Sequence, residues 1–452
     1  MKLHAAAALL PGGWARDVLI EVDADGTIVT LGANRDPGDA ERADGPVIPG
    51  MPNLHSHAFQ RALAGRTGRA SAAGDSFWTW RQAMYAFLDH VDADAFEAIA
   101  AQAYVEMLKA GYTAVAEFHY VHHDPTGRPY ADPAELSRRI VAAATRAGIA
   151  LTLLPVFYAQ GGFNGAKATP GQRRFVHTID SFARLCATLT EDAAVHRYTL
   201  GIAPHSLRAV TPTELAAVVT LAGAAAPIHI HAAEQVAEVA ECVAWSGSRP
   251  VEWLLDHADV GAHWCIVHAT HLAASETRRL AACGAVAGLA PTTEADLGDG
   301  TFPARSYIDA GGVLGIGSDS NTIVDPFAEL RQLEWSQRLA ELRRNVLADN
   351  GVPVGRAIYA RAVAGGAQAL AQPLGAIAAG RRADLVVLDG GHPALAELPA
   401  DAWLEAAIFG PCVRPVRDVM VGGRWVVRDG RHPHEADVLA RYRAAVAPLA
   451  TG

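Results

Sequence analysis

Eight short apolar runs follow one another through the middle of the chain, separated by alanine-rich stretches. They lie at residues 51–55, 113–118, 150–157, 198–204, 227–231, 264–268, 285–290 and 313–318. Strands buried on both faces appear as continuous apolar runs, and helices are predicted between them, for example at 134–147, 212–225 and 272–283. This alternation predicts an α/β fold with a TIM-type (β/α)₈ barrel. An open doubly wound sheet, the alternative, would place a glycine-rich loop after the first strand, where the sequence reads LHSHAFQ.

The two ends of the chain carry a different pattern, in which apolar and polar residues alternate. Residues 17–31 alternate around an Asp-Gly turn and predict a β-hairpin. Residues 383–389 and 418–428 give further strand signals, the latter around a Gly-Gly turn. We therefore predict that both termini build one small β-sandwich domain. The predicted boundaries are 1–48 and 375–452 for this domain and 49–374 for the barrel.

The composition of the chain limits the kinds of molecule that it is expected to bind. Half of the 452 residues are hydrophobic, and the formal net charge is -10 without any basic run, so no nucleic-acid partner is expected. The apolar stretch at residues 5–10 is too short for a signal peptide and is predicted to belong to the fold. Five scattered cysteines, including Cys412, fit neither a disulfide framework nor a thiolate metal site. We expect a cytoplasmic protein with a small-molecule substrate and no membrane partner; the sequence leaves open a homodimer.

Residues with metal-binding chemistry stand at the ends of the apolar runs. Four of them are His55, His57, His231 and Asp319. The C-terminal ends of barrel strands meet at one face, so these side chains are expected to converge. Three imidazoles and one carboxylate suit Zn²⁺ and leave room for a water, whose pKa the metal lowers toward about 7. His229 shares the facing of His231 and is the rival ligand, although His231 is nearer the strand end.

Glu234, His268 and Asp319 are the predicted catalytic groups. Glu234 lies three residues after His231, where it can reach a metal-bound water without ligating the metal, and this position suits a proton shuttle. The alternative is a glutamate that stabilises a helix N-terminus. His268 ends the sixth run and would polarise the reacting group, while Asp319 would hold the proton of the water.

The segments LHSHAFQ, HIHAAEQ and GIGSDSN, together with the strand-end His268, resemble the amidohydrolase superfamily in its mononuclear deaminase branch. The resemblance covers the whole chain and implies a metal-bearing barrel flanked by a small β domain from both termini. No lysine ends the fourth run (GIAPHS), so the carbamylated lysine of many two-metal members has no candidate there. One zinc ion per chain is therefore expected.

Longer segments narrow the resemblance. NLHSHAFQRALAGRT, FHYVHH, GGFNGAKATPGQRRF and APHSLRAV are similar to the formimidoylglutamate deiminases. This resemblance implies hydrolysis of N-formimino-L-glutamate to N-formyl-L-glutamate and ammonia in histidine degradation. The ligands and catalytic groups it implies are those given above. The substrate pocket it implies is formed by Gln60, Arg81, Tyr120, His205 and Arg208.

The implied substrate carries two carboxylates, which gives an independent reason to expect two arginines in the pocket. Arg208 follows the fourth predicted strand, and Arg81 lies in the long excursion after the first. A guanidinium group can hold a carboxylate through two parallel hydrogen bonds. Each arginine could instead serve a surface helix or a surface ion pair.

Other residues near these motifs are interpreted without a role in the reaction. Trp78 and Trp80 are expected to pack in the core. The pair Arg173 and Arg174 either touches the substrate or closes a loop. Two histidines, His122 and His123, are expected in a loop on the active face. Six histidines are interpreted as structural or surface residues: His119, His122, His123, His177, His263 and His271.

Two alternative functions remain at this point. A deaminase of a purine or pyrimidine ring would share the metal site but would need aromatic stacking and amide contacts more than paired arginines. A catalytically inactive barrel could act as a binding module, because fold alone does not establish activity.

Overall fold

The middle of the chain forms the predicted barrel. The computed structural model describes residues 1–68, 74–411 and 415–450. Its parallel barrel strands are Met51–Ser56, Tyr112–His119, Ala150–Phe157, Thr199–Leu200 with Ala203–Pro204, Ile228–Ala232, Trp264–His268, Val286–Leu289 and Val313–Ile316. All eight coincide with predicted apolar runs, and those at 150–157 and 264–268 match to the residue.

The strands form two four-stranded parallel sheets that meet at two seams. The first four strands pair in one sheet and the last four in the other. A parallel bridge between Ile202 and Ile228 joins the fourth strand to the fifth, and one between Ser56 and Asp319 joins the first to the eighth. The barrel is therefore closed, and the ends of its first and last strands are adjacent.

Helices surround the barrel as the alternating pattern predicts. The helix after the first excursion begins behind Asp92, whose side chain accepts a hydrogen bond from the backbone of Ala95, and it ends at Gly111 with φ +104°. The helix predicted over 212–225 ends earlier, at Thr220. No helix among the described ranges is both long and apolar enough to span a membrane. The helices are Phe77–Leu88, Ala93–Ala110, Glu135–Ala147, Ile179–His196, Pro212–Thr220, Val236–Ser246, Pro250–His257, Ala274–Cys283, Pro291–Leu297, Ala304–Asp309, Pro326–Glu341, Val354–Leu370, Ala400–Phe409 and Glu435–Val446.

Both ends of the chain combine in one small β domain, as predicted. Its strands form a single hydrogen-bonded sheet in which the strand Val47–Pro49 lies between N-terminal and C-terminal strands. The apolar residues 5–10 lie in the first of these strands and belong to the fold. The strands are Lys2–Leu10, Gly13–Val22, Ile28–Gly32, Glu41–Arg42, Val47–Pro49, Leu385–Leu388, Val416–Val421 and Arg424–Val427.

This sheet curls so that its two arms face each other across a separate core. Leu3 and Ile20 from the N-terminal arm pack in one cluster with Leu385 and Met420 from the other. The two predicted turns also meet: a Cβ added to Gly26 would lie 2.2 Å from a carbonyl oxygen of the C-terminal hairpin turn, so this approach requires glycine. The arrangement is the predicted sandwich, and the exact domain boundaries stay a prediction.

The cysteines that the structure describes are all free. Cys242 and Cys265 are buried, and Cys186 and Cys283 are partly exposed. Cys412 lies outside the described residues.

Candidate active site

The first and eighth strands bring three predicted ligands together through their backbones. His57 N donates to Asp319 O at 2.9 Å, and Asp319 N donates to His55 O at the same distance. A Cβ on Gly317 would lie 2.6 Å from the backbone oxygen of His55, so only glycine permits this approach. As a result, Asp319 Oδ1 lies 3.3 Å from His55 Nε2 and 3.2 Å from His57 Nε2.

His231 completes the group from the fifth strand. Its Nδ1 donates to the carbonyl of His205 at 3.1 Å, and His57 Nδ1 donates to the carbonyl of Phe118 at 3.0 Å. A carbonyl only accepts, so both rings keep the Nε2 lone pair free for a metal. One ligand atom from each of four buried residues lies within 4.8 Å of the others: His55, His57, His231 and Asp319. The donor set fits a single metal ion with a free coordination position.

His229, the rival ligand, is occupied elsewhere. Its Nε2 shares a hydrogen bond of 2.9 Å with the carbonyl of Ala369, near the end of the last helix around the barrel. It does not join the group of four donors that the structure brings together.

A buried polar network fixes the two strand ends that carry the ligands. Asn53 Nδ2 donates to Ser318 Oγ at 2.6 Å, and that hydroxyl donates to Asn321 Oδ1 at the same distance. Asn321 Nδ2 donates in turn to Ser56 Oγ at 3.1 Å and to the His57 carbonyl at 3.0 Å. Because each of these groups is satisfied, the network holds the ligands rigidly before a metal binds.

The electrostatics of His55, His231 and Asp319 favour their metal-binding protonation states. Burial lowers the pKa of His55 to about 3 and that of His231 well below its usual value. Burial alone would raise the pKa of Asp319, but hydrogen bonds from His55 and His57 hold it well below the usual range. Neutral imidazoles and an ionised carboxylate are the forms that ligate a cation.

Glu234 and His268 stand beside the metal group and face each other. Glu234 Oε1 lies 3.7 Å from His268 Nε2, and His268 Nδ1 lies 3.3 Å from Glu294 Oε1. Burial raises the pKa of Glu234, so its carboxyl binds a proton more readily than an exposed glutamate does. Burial would lower the pKa of His268, but the carboxylates of Glu234, Glu294 and Asp319 outweigh it and raise that pKa to about 10. His268 is therefore a cationic hydrogen-bond donor next to a carboxyl that can exchange protons.

His268 and Asp319 also adopt left-handed backbone conformations, with φ of +66° and +41°. Ala233, just before Glu234, has φ +54°. Non-glycine residues in this region store about 1 to 3 kcal/mol of strain each and persist only where the surrounding structure fixes them. Strained backbone of this kind therefore occurs at the strand ends that carry the catalytic candidates.

The five predicted substrate residues line one cleft above the metal group. Gln60 Nε2 donates to the hydroxyl of Tyr120 at 2.9 Å, and both side chains are buried. The ring of His205 stacks on that of His231, with centroids 5.0 Å apart. The lining also includes Phe77, Trp80, Met84, Tyr85, Tyr158, Phe175 and Leu297. The cleft therefore combines aromatic walls with a few polar groups.

The cationic groups of the cleft are Arg81 and Arg208. The Nε atom of each is buried and has no hydrogen-bond partner among the residues that the structure describes. Arg208 is only 8% exposed, and its Nη2 lies 3.6 Å from Glu234 Oε2 and 4.0 Å from Glu238 Oε2. Buried guanidinium donors without acceptors are costly, so the cleft is prepared for an anionic ligand.

The structure also tests the predictions for the two tryptophans and for the neighbouring arginines Arg173 and Arg174. Trp80 packs against the main core, as predicted, and also lines the cleft. Trp78 is half-buried and instead contacts the arginines of the cleft. Arg173 pairs with Asp89 at 2.6 Å, and the buried Arg174 donates to the carbonyl of His123 at 2.9 Å. The two arginines therefore close a loop.

Sequence reasoning assigned no role to two buried glutamates that contact the pair Glu234 and His268 or the backbone beside it. Glu238 accepts hydrogen bonds from the backbone of Ala233 at 3.2 Å and Glu234 at 3.1 Å, which holds the turn after the fifth strand. Glu294 accepts from the backbone of Ala290 at 3.0 Å and contacts His268. Each glutamate lies about one turn into the helix that follows a barrel strand, and this position is the sequence signal that could have identified it.

Comparisons with known proteins identify the family of the chain. The model of the amidohydrolase family matches residues 47–426, and that of the N-terminal domain of formimidoylglutamate deiminase HutF matches residues 2–45. A formimidoylglutamate deiminase from Pseudomonas aeruginosa is 53% identical over 434 residues, which cover 96% of each chain.

Solved structures give the same result for the fold. An amidohydrolase from Brucella melitensis superimposes with a TM-score of 0.95 at 48% identity, covering 100% of both chains. An adenosine deaminase from Xanthomonas campestris with bound zinc has a TM-score of 0.83 at 22% identity, covering 100% of this chain and 98% of its own, and shows the fold alone. The chain therefore belongs to the metal-dependent amidohydrolase family, within the group that includes the formimidoylglutamate deiminase of Pseudomonas aeruginosa.

Proposed function

We propose that this chain is a zinc-dependent formimidoylglutamate deiminase, which hydrolyses N-formimino-L-glutamate to N-formyl-L-glutamate and ammonia in histidine degradation. The observation that carries the proposal is a pair of arginines, Arg81 and Arg208, whose Nε atoms are buried without partners among the described residues, in a cleft directly above a four-donor metal group. A dicarboxylate substrate supplies the acceptors that these arginines lack. The 53% identity to the Pseudomonas aeruginosa enzyme supports the same substrate.

His55, His57, His231 and Asp319 would hold the metal, and their nitrogen and oxygen donors suit zinc. The zinc-bound fold relative supports this choice. When bound, zinc supplies Lewis acidity that lowers the pKa of a water from about 15.7 toward about 7.

Three side chains of this protein would move and hold the protons. Water adds its oxygen to the formimino carbon, the bond from that carbon to the terminal nitrogen breaks, and both protons of the water leave with that nitrogen as ammonia. Glu234, with its raised pKa, would carry a proton to the leaving nitrogen, while Asp319 accepts one at Oδ. The cationic His268 would donate through Nε2 and stabilise the negative charge that develops on the oxygen added to the formimino carbon.

The substrate would be oriented by the five residues of the cleft. Arg81 and Arg208 would each bind one carboxylate, which fixes both ends of the glutamate skeleton. Three further polar groups would contact the formimino end: Gln60, Tyr120 and His205. Gln60 Oε1 is buried without a partner among the described residues, so it is available as an acceptor for an N–H of that cationic group.

The test is ammonia release from N-formimino-L-glutamate by the purified chain loaded with zinc, with the formyl product identified by mass spectrometry. Adenosine and cytosine serve as ring substrates in the same coupled assay. We expect turnover of the formimino compound alone. Turnover of a ring substrate without turnover of N-formimino-L-glutamate would overturn the proposal in favour of ring deamination.

A further inference from the structure

Trp78 lies against both arginines of the cleft. The guanidinium carbon of Arg81 is 4.5 Å from the centre of the Trp78 ring, and that of Arg208 is 5.8 Å away. Arg81 comes from the helix Phe77–Leu88, and Arg208 follows the fourth barrel strand. One indole therefore links two cations that reach the cleft from separate parts of the fold.

The protein offers these two cations few other contacts. No carboxylate of the described residues forms an ion pair with Arg81, whose guanidinium is otherwise near the rings of Phe77 and Tyr85. The nearest carboxylate oxygens to Arg208 lie at 3.6 Å and 4.0 Å, beyond hydrogen-bond distance. Two like charges in a poorly hydrated cleft repel each other. The faces of aromatic rings attract guanidinium groups and leave all their N–H donors free for a ligand.

We propose that Trp78 is a positioning residue that sets the separation and orientation of Arg81 and Arg208, and thereby selects substrates with two carboxylates. This inference rests on the proposed function for the identity of the substrate. The indole is rigid and has only two side-chain torsions, so it fixes the arginines before the ligand arrives. Without it, ligand binding must order two long side chains and overcome their mutual repulsion.

The experiment compares Trp78→Leu, which removes the aromatic face, with Trp78→Phe, which keeps a smaller one. Trp335→Leu is the matched control, because Arg331 lies 5.8 Å from that exposed ring on a helix outside the cleft. For N-formimino-L-glutamate, Trp78→Leu should raise KM about tenfold, or about 1.4 kcal/mol, with kcat changed less than about twofold. Trp78→Phe should restore most of the loss, and Trp335→Leu should have no effect.

Formamidine, which has neither carboxylate, separates positioning from general damage. Its kcat/KM should be unchanged in Trp78→Leu, because it does not use the arginines. Equal losses on the two substrates, or an unchanged KM for N-formimino-L-glutamate, would overturn the inference. If Trp78→Leu fails to fold, Trp78→Phe decides alone: a KM raised about two- to threefold supports the inference, and an unchanged KM contradicts it.

Binding of glutarate, a dicarboxylate without a formimino group, keeps this inference distinct from the proposed function. Calorimetry should show about tenfold weaker glutarate binding to Trp78→Leu than to the unchanged chain. If the unchanged chain releases no ammonia from N-formimino-L-glutamate, the proposed function fails while glutarate still tests Trp78. If it does turn over that substrate but Trp78→Leu binds glutarate normally, only the inference on Trp78 fails.

Discussion

Replacing Arg208 with methionine tests whether this arginine binds a substrate carboxylate. Methionine keeps much of the apolar stem but removes the guanidinium fork. Arg208 is 8% exposed, and its Nε has no partner in the described residues. Its guanidinium is therefore shielded from water, and solvent does not compensate for its loss. The change therefore removes a cation that faces the cleft and that also lies 3.6 Å from a carboxylate oxygen of Glu234.

Two contributions set the magnitude. Loss of a buried, bidentate carboxylate contact costs about 2 to 5 kcal/mol, which at about 1.4 kcal/mol per tenfold lowers kcat/KM by roughly 30-fold to several thousandfold. The positive charge of Arg208 also lowers the pKa of Glu234, so its removal raises that pKa further and alters proton transfer. We therefore expect Arg208→Met to raise KM and lower kcat together.

The assay measures kcat and KM for N-formimino-L-glutamate and for formamidine in parallel. Arg81→Met is the matched comparison, because no carboxylate of the described residues pairs with Arg81 and its loss should raise KM with kcat nearly unchanged. Arg208→Lys keeps the charge without the fork and should fall between Arg208→Met and the unchanged chain.

The result on formamidine decides the interpretation. Arg208→Met should lose at least about 30-fold more on N-formimino-L-glutamate than on formamidine, because only the former uses the carboxylate contact. Equal losses on the two substrates would refute the role of Arg208 in carboxylate binding. If Arg208→Met loses no kcat/KM on either substrate, a neutral ring becomes the favoured substrate.

Three further predictions follow from the site and its surroundings. Glu234→Gln should keep its metal but lose at least about 100-fold in kcat, and near-normal turnover would exclude Glu234 as the shuttle. His229→Asn should retain about one metal per chain in elemental analysis, whereas His231→Asn should lose it; the reverse result would exchange the two ligands. Burial lowers the pKa of His119 and His177 to about 3, so the unfolded chain takes up their protons first, near pH 6.5. Stability should therefore be full above about pH 6.5 and fall toward pH 3 by up to about 1.4 kcal/mol per pH unit for each histidine. Denaturant unfolding of His177→Asn should show a shallower fall, and an unchanged slope would contradict this cause.

The barrel and the metal group were predictable because their signals are local. A strand buried on both faces must be apolar throughout, so the run at 150–157 marks its own ends. His55, His231 and Asp319 stand where such runs stop, and parallel strands place those ends at one face. The helix over 212–220 was predicted five residues too long, because alanine continues the helical pattern past Gly223 while the backbone turns toward Pro227.

The missed residues depend on contacts between distant parts of the chain. Glu294 follows the seventh strand, which carries no ligand, and its contact with His268 exists only after the barrel closes. Trp78 belongs to an aromatic segment whose composition is typical of a core, and its contact with Arg208, which is distant in the sequence, exists only in the folded chain. The local pattern of apolar and polar residues does not predict such long-range contacts.

Ammonia release measured against bound zinc tests whether this chain is a zinc-dependent formimidoylglutamate deiminase. The purified chain is first chelated, and zinc is then returned in steps while metal content and turnover of N-formimino-L-glutamate are recorded. We expect no turnover without metal and a linear rise in turnover that reaches its maximum at about one zinc per chain. Full turnover in protein shown to be free of metal, or zinc binding at this stoichiometry without any ammonia release, would contradict it.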